Sequence, residues 1–224
     1  MPLPRPLSSL AAISTGFHYR SRIVGNEAGE WRVAQGREVR ADLTWDVAAM
    51  PRVSPGPAER RARLKPGDVL VLARGDRPYA MVAPDWPWPA LASSSFYILR
   101  VRREHLLPEY LAWYLNTPGV AGKLMEATRG VKIRWLPRSA LLELPVEAPS
   151  LARQQDVVAA AALVAAEDRL HAELSAERNG ALARLVSSEE GSEPASRAEH
   201  IRIAEAQLEV VRTRLARHFA KLGL

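Results

Sequence analysis

The spacing of apolar positions changes character near residue 150. Before it, apolar residues come in short runs broken by Pro and Gly. After it, they recur every three or four positions to the end of the chain. Leu7, Leu10 and Ile13 stand at helical spacing, with Gly16 placed to end a turn, which predicts an opening helix. Residues 31–34, WRVA, predict a short strand, and residues 51–63, PRVSPGPAERRAR, a loop. The clearest strand is Asp68 to Ala73, set between Pro66-Gly67 and Gly75. Its unbroken apolar run predicts burial on both faces. Pro84, Pro87 and Pro89 interrupt regular structure around Trp86 and Trp88. Residues 94–102, SSFYILRVR, predict another strand. Pro108 opens a helix, PEYLAWYLNTP, with Leu111, Tyr114 and Leu115 on one face. A further helix over roughly 118–128 ends before Gly130. Residues 131–135, VKIRW, alternate apolar and basic as an edge strand or loop arm would, one face packed and the other open. Leu144-Pro145-Val146 reads as a strand stub.

Ser150 is placed to cap a long helix over 150–186, its hydroxyl accepting from backbone N–H groups of the first turn. Leu163, Leu170, Leu174, Ala181 and Leu185 form a seam along it. Residues 187–196, SSEEGSEPAS, read as a polar linker. A last helix, 197–224, carries Ile201, Ala204, Leu208, Val211, Leu215, His218 and Leu222 at steps of three and four. Neither helix would hold its shape well alone in water, so each is expected to pack lengthwise on another. An antiparallel hairpin within the chain satisfies the pattern, and so does a seam that also recruits a second chain. The sequence thus divides into residues 1–149 and a helical part, 150–224, with no internal repeat.

Charge sharpens that division. Of 31 Lys+Arg and 25 Asp+Glu in the chain, 21 and 14 fall in residues 1–150, and 10 and 11 in residues 151–224. The whole positive excess therefore sits in the first part, a distribution that suits a nucleic-acid footprint. The basic residues are nearly all Arg, a bias that a GC-rich genome would also produce. The chain has no Cys, which excludes disulfides, thiol nucleophiles and Cys-based metal sites. No stretch approaches the roughly 20 apolar residues a membrane span needs. The N-terminal stretch does not read as a secretory signal. A cytoplasmic protein with no membrane association is expected.

Catalytic chemistry finds little footing. His18, His105, His171, His200 and His218 are scattered without metal-ligand spacing. Ser93-Ser94-Ser95 lacks the setting of a nucleophile elbow. Arg74-Gly75-Asp76 reads as a turn after a strand, and Asp68 as a turn residue. Trp86 and Trp88 between prolines suit packing better than base stacking. Glu59 and Asp76 make no nuclease constellation. No phosphate-cradling Gly loop and no amino-methyltransferase motif is present. No catalytic residue, metal or cofactor is expected.

Four stretches, in this order, resemble the target-recognition domain of type I restriction–modification specificity subunits. They are LSSLAAISTG (7–16), GEWRVAQGREVR (29–40), LKPGDVLVLARG (64–75) and residues 92–158. The last holds P-x-Y-L-x-x-x-L, a Gly-containing arm, L-P-V-x-x-P, and Gln where a long helix begins. The resemblance runs over residues 7–185. The chain departs from the pattern in having Ala148-Pro149 where paired prolines are usual, and Arg153-Gln154-Gln155 in place of Glu-Gln. It has one such domain, whereas a standard subunit has two. The resemblance implies an α/β (α+β) target-recognition domain with a twisted mixed sheet, followed by a long two-helix antiparallel coiled-coil stalk. It implies a non-catalytic specificity subunit that binds double-stranded DNA. The DNA methyltransferase, and with it a restriction subunit, would dock on the helices. Either two copies pair through the helices to rebuild a two-domain reader, or the chain belongs to a divergent defence system that reads one half-site.

Recognition of DNA needs cations for phosphates and planar donors for base edges, and Arg supplies both. The candidates are the loop residues Arg37, Arg40, Arg74 and Arg77, and Arg129, Lys132 and Arg134 on the Gly130 arm. The helix or partner interface is expected at Leu163, Leu170, Leu174, Ile201, Leu208, Val211, Leu215 and Leu222. A competing expectation is a protein–protein scaffold whose recognition domain no longer touches DNA.

Overall fold

Strand pairing, more than helix packing, organises the first two thirds of the chain. The computed structural model describes residues 3–131, 133–187 and 194–222. In the two last helices it leaves out the side chains at 177, 178, 181–187, 194–198, 200, 201, 204, 207, 215, 218, 221 and 222. The elements are β1 (Arg5–Pro6), α1 (Leu7–Leu10), β2 (Ala11–Thr15), β3 (Trp31–Ala34), β4 (Arg52–Val53), β5 (Val69–Leu72), β6 (Ala80–Val82), β7 (Ala90–Ala92) and β8 (Phe96–Val101). After them come α2 (Pro108–Asn116), α3 (Pro118–Glu126), α4 (Arg138–Leu142), β9 (Pro145–Val146), α5 (Leu151–Ser187) and α6 (Pro194–Leu222). The chain divides into two units, Met1–Gln154 and Gln155–Leu224.

The first unit is α+β. Its largest sheet, ordered β2-β8-β5-β6, is antiparallel throughout. A second sheet, β4-β3-β7, is mixed, with β3 antiparallel to β4 and parallel to β7. A two-stranded pair joins β1 to β9, the two ends of the unit. Three small sheets thus stand where a single mixed sheet was expected. The strands are two to six residues long, and the prolines and turns between them prevent one continuous ladder.

Alternation along β5 and β8 sets the core. Leu70, Leu72, Phe96 and Ile98 point into a cluster with Ala34, Ala90 and Ala92 of the second sheet. Val69 and Val71 take the opposite face of β5, where α2 packs. All four β5 residues are buried, as the unbroken apolar run requires. Trp45 caps the cluster, edge-on to Phe96 at 5.8 Å and to Trp86 at 5.6 Å. The Arg32 guanidinium lies 4.7 Å over Trp88. Both tryptophans of the proline-rich stretch are therefore engaged in packing.

Three local expectations need correction. The helix expected over 7–16 stops at Leu10, and Ala11–Thr15 is a strand paired with β8. Ala11 and Ile13 are buried and Ala12 and Ser14 exposed. This two-residue alternation outweighs the weak helical spacing once a partner strand is present. The loop expected over 51–63 contains β4 and a single 3-10 turn, Glu59–Ala62. The described residues of 131–135 take the loop-arm alternative, but Val131 and Ile133 do not form the packed face expected of it and stand in solvent.

Two buried polar groups tie the unit together. Asp68 is 3% exposed. Its carboxylate accepts from the Lys65 N–H (2.9 Å) and from Arg100 Nε (3.0 Å), closing the turn that Gly67 makes with φ of 82°. Gln154 is fully buried in the first turn of α5. Its Oε1 accepts from the Leu107 N–H (2.8 Å), and its Nε2 donates to the carbonyls of His105 (2.9 Å) and Pro149 (2.8 Å). Ser150 acts as foreseen, its Oγ accepting from the Arg153 N–H at 3.3 Å.

The second unit consists of α5 beyond Gln154 together with α6. Glu167 Oε1 accepts from Arg212 Nε at 2.9 Å, and Arg212 Nη2 lies 3.1 Å from His171 Nε2. Leu174 and Leu208 are buried. No helix of the described residues is long and apolar enough to cross a membrane.

Candidate nucleic-acid interface

The expected cationic loops meet at one cleft of about 800 Å³ in the first unit. Arg37, Arg40, Arg74 and Arg77 line it, together with Arg22. Asp76 is the one carboxylate among the described residues of its lining. With Arg37 paired to Glu38 and Arg40 to Asp46, five arginines stand against three carboxylates, which makes a concave surface of net positive charge.

Each arginine is positioned by local chemistry. Arg37 sits in a 3-10 turn, Gly36–Glu38, held by the buried Glu38. The Glu38 carboxylate accepts from the Gln35 N–H (3.0 Å), Gln35 Nε2 (3.1 Å) and Arg37 Nε (2.8 Å). Arg37 still exposes half its side chain. Arg40 opens a tight loop that closes by its own N–H donating to Thr44 (2.9 Å). Its guanidinium approaches Asp46 at 3.4 Å and is 60% exposed. Asp42 organises the turn, accepting from Thr44 Oγ1 (2.6 Å) and the Thr44 N–H (3.1 Å). Those hydrogen bonds hold its carboxyl below the usual range. Arg74 and Arg77 leave the end of β5, where Gly75 has φ of 158°.

The rest of the lining comes from residues that the sequence reading passed over, Tyr79 and Arg22, or set aside for catalysis, His18 and Ser93–Ser95. Tyr79 stands on the cleft floor, edge-on to Phe96, with its hydroxyl near the Gly36 carbonyl at 3.4 Å. Burial pushes its pKa up to about 12, against the opposing pull of Arg77, so it stays a neutral donor. Ser93 and Ser95 share a 2.6 Å hydrogen bond, and Ser95 Oγ accepts from the Gly36 N–H. His18 Nδ1 lies 3.2 Å from Ser94 Oγ. Arg22 follows a bridge between Phe17 and Ser93. Its neighbours show no periodicity, so only strand pairing reveals its place. Hydroxyls, a neutral phenol and guanidinium donors together suit oxyanions, above all phosphates in series.

The arm that carries Arg129 and Arg134 adjoins this cleft without lining it. Arg129 and Trp135 exchange backbone hydrogen bonds of 2.9 and 2.8 Å. The Gly75 N–H donates to the Arg134 carbonyl at 3.1 Å, and the Leu136 N–H to that of Ala73 at 2.8 Å. The arm is thereby fastened to the segment that supplies Arg74. Lys132 lies outside the described residues.

Of the expected helix-interface residues, Leu174 and Leu208 are buried, and Leu163, Leu170 and Val211 half-buried. Ile201, Leu215 and Leu222 lie outside the described side chains. Ile203 and Val210 are exposed and line an apolar groove with Ala166 and Leu170. Among the described residues, no group of three His, Asp or Glu could hold a metal.

No protein-family model and no curated protein matches the sequence. Solved structures do match. The type I restriction–modification S subunit from M. genitalium aligns over 88% of this chain and 47% of its own, with 13% identity and a TM-score of 0.53. A chain from a study of complex assembly and conformational transition of the type I R-M system aligns over 94% and 46%, with 20% identity and a TM-score of 0.51. The HsdS subunit from Thermoanaerobacter tengcongensis aligns over 94% and 45%, with 20% identity and a TM-score of 0.50. The chain spans about half the length of the solved structures it matches. Its fold is accordingly that of type I restriction–modification S subunits.

Proposed function

We propose that this chain is a non-catalytic, sequence-specific DNA-binding subunit of a type I restriction–modification complex, acting in the cytoplasm. Residues 1–149 read the DNA target, and residues 150–224 form an antiparallel coiled-coil stalk. A DNA methyltransferase, and with it a restriction subunit, docks on the stalk and brings cofactor and catalysis. A second copy, paired through the same helices, supplies a second half-site.

The convergence of Arg22, Arg37, Arg40, Arg74 and Arg77 on one cleft carries this reading. Guanidinium groups hold phosphates and read guanine edges, and the cleft gathers five arginines from three separate connections, 16–30, 35–51 and 73–79. If each neutralises one phosphate, log affinity should fall against log salt with a slope of about −4.5. The test is equilibrium binding to long duplex DNA across salt, alone and with the methyltransferase. A double charge reversal, Arg40→Glu with Arg74→Glu, should abolish binding. Absence of binding by the unaltered chain in both settings would end the proposal.

The exposed groove beside Ile203 and Val210 favours a second reading, a protein scaffold without DNA contact. The same charge reversal separates the two, since a scaffold would keep its partner and its activity in the complex.

A further inference from the structure

The Gly130 arm presents an apolar tip to solvent. Val131 is 100% exposed, Ile133 69% and Trp135 43%. Large apolar side chains seldom stand so fully in water at the end of a built projection, and contiguous ones mark a contact surface. The base of the projection is preformed. Arg129 and Trp135 close it with two mutual hydrogen bonds, and the strand exit at Ala73 and Gly75 anchors its base with two more. Gly130 makes the turn with φ of 98°, and a Cβ there would meet the Ile133 carbonyl oxygen at 2.5 Å. The tip residues are β-branched and stiff at χ1, so little conformational freedom is lost on insertion.

Its surroundings specify the partner. From residue 127 to 142 the sequence has four basic residues and no acidic one. Arg129 and Arg134 flank the tip and are exposed, and the base of the arm abuts the cationic cleft. An apolar point between guanidinium groups matches a duplex groove, with phosphates on both sides and stacked bases at its floor. Proteins that push apolar side chains between base steps unstack and kink the duplex. A single loop this small is a poor membrane anchor, since stable anchoring takes two signals.

We infer that Val131 and Ile133 form a wedge that enters the minor groove of bound DNA and unstacks one base step, kinking the duplex. This rests on the DNA-binding reading above and adds a role that the arginines do not have. They grip phosphates, whereas the wedge makes recognition depend on how easily a step deforms.

The experiment uses the full chain and a duplex recovered by selection from a random-sequence pool. 2-Aminopurine is placed at successive positions, and bending is read by circular-permutation gel shift. The unaltered chain should raise 2-aminopurine fluorescence at one step and bend the duplex. Val131→Ser with Ile133→Ser, both on solvent-facing positions, should remove both signals and weaken binding roughly tenfold. The salt slope should stay unchanged, because phosphate contacts remain. Binding by the unaltered chain without unstacking or bending overturns the wedge and leaves the DNA reading intact. No selected duplex at all overturns both. Retained unstacking in the double variant overturns the wedge, and so does a loss confined to binding of phosphatidylserine vesicles.

Discussion

Gln154 offers the sharpest test of how the fold is held. The perturbation is Gln154→Leu, which puts an apolar side chain of comparable size in a fully buried position. It removes three hydrogen bonds and strands the Leu107 N–H and the carbonyls of His105 and Pro149. A buried polar group left without a partner costs about 1–3 kcal/mol. The three partners are part-buried and His105 is exposed, so water replaces part of the loss and about 2 kcal/mol is expected. For a unit of this size, that corresponds to a Tm lowered by about 4–8 °C. The control is the neighbouring, exposed Gln155, where Gln155→Leu should stay within about 0.5 kcal/mol. Calorimetry of both variants, with urea unfolding as a second measure, gives the comparison. Gln154→Glu adds a sign test. A carboxylate facing two carbonyls should destabilise at neutral pH and recover as pH falls and the group protonates. Equal Tm values for the two Leu variants would refute the reasoning, because the buried amide would then hold nothing.

Two further outcomes follow from the same structure. Asp68→Ala should destabilise the first unit by about 2 kcal/mol in urea unfolding. It loses the Lys65 turn bond and the Arg100 pair, and Arg100 is exposed enough for water to replace part of it. An unchanged urea midpoint would contradict the role given to this turn. All five tyrosines are raised above the ordinary value of 10.0, chiefly by burial. Tyr19, Tyr79 and Tyr110 reach about 12, and Tyr97 and Tyr114 shift the same way. A raised folded-state pKa means that stability is fully present below pH 10 and is lost as pH rises toward 12. Phenolate absorbance should therefore lag behind that of free tyrosine and then rise together with loss of structure. Several tyrosines titrating near 10 in the folded chain would contradict their burial.

Elements with strong local periodicity were legible. Val69–Leu72, Phe96–Val101, Pro108–Asn116 and Pro118–Glu126 form where their patterns predict them. The short strands Ala80–Val82 and Ala90–Ala92 are not legible, since three residues are too few to show an alternation. The opening segment misled for a related reason. Leu7, Leu10 and Ile13 satisfy a helical period and Ala11 and Ile13 a strand period, and the partner strand decides between them. Gln154 was visible as a residue type at a helix start, but its three partners lie on separate segments.

The basic, Arg-rich character of the first part and its main helices and strands follow from residue types and near-neighbour spacing. These the sequence determined alone, because helix and strand periods are written in residues a few positions apart. The cleft is another matter. Arg22, Arg37, Arg40, Arg74 and Arg77 share one wall and floor only after β2 pairs with β8, β8 with β5, and β3 with β7. The exposure of Val131 and Ile133 is likewise decided by how Ala73 and Gly75 pin the arm. Register between distant strands sets both, and no local spacing encodes it.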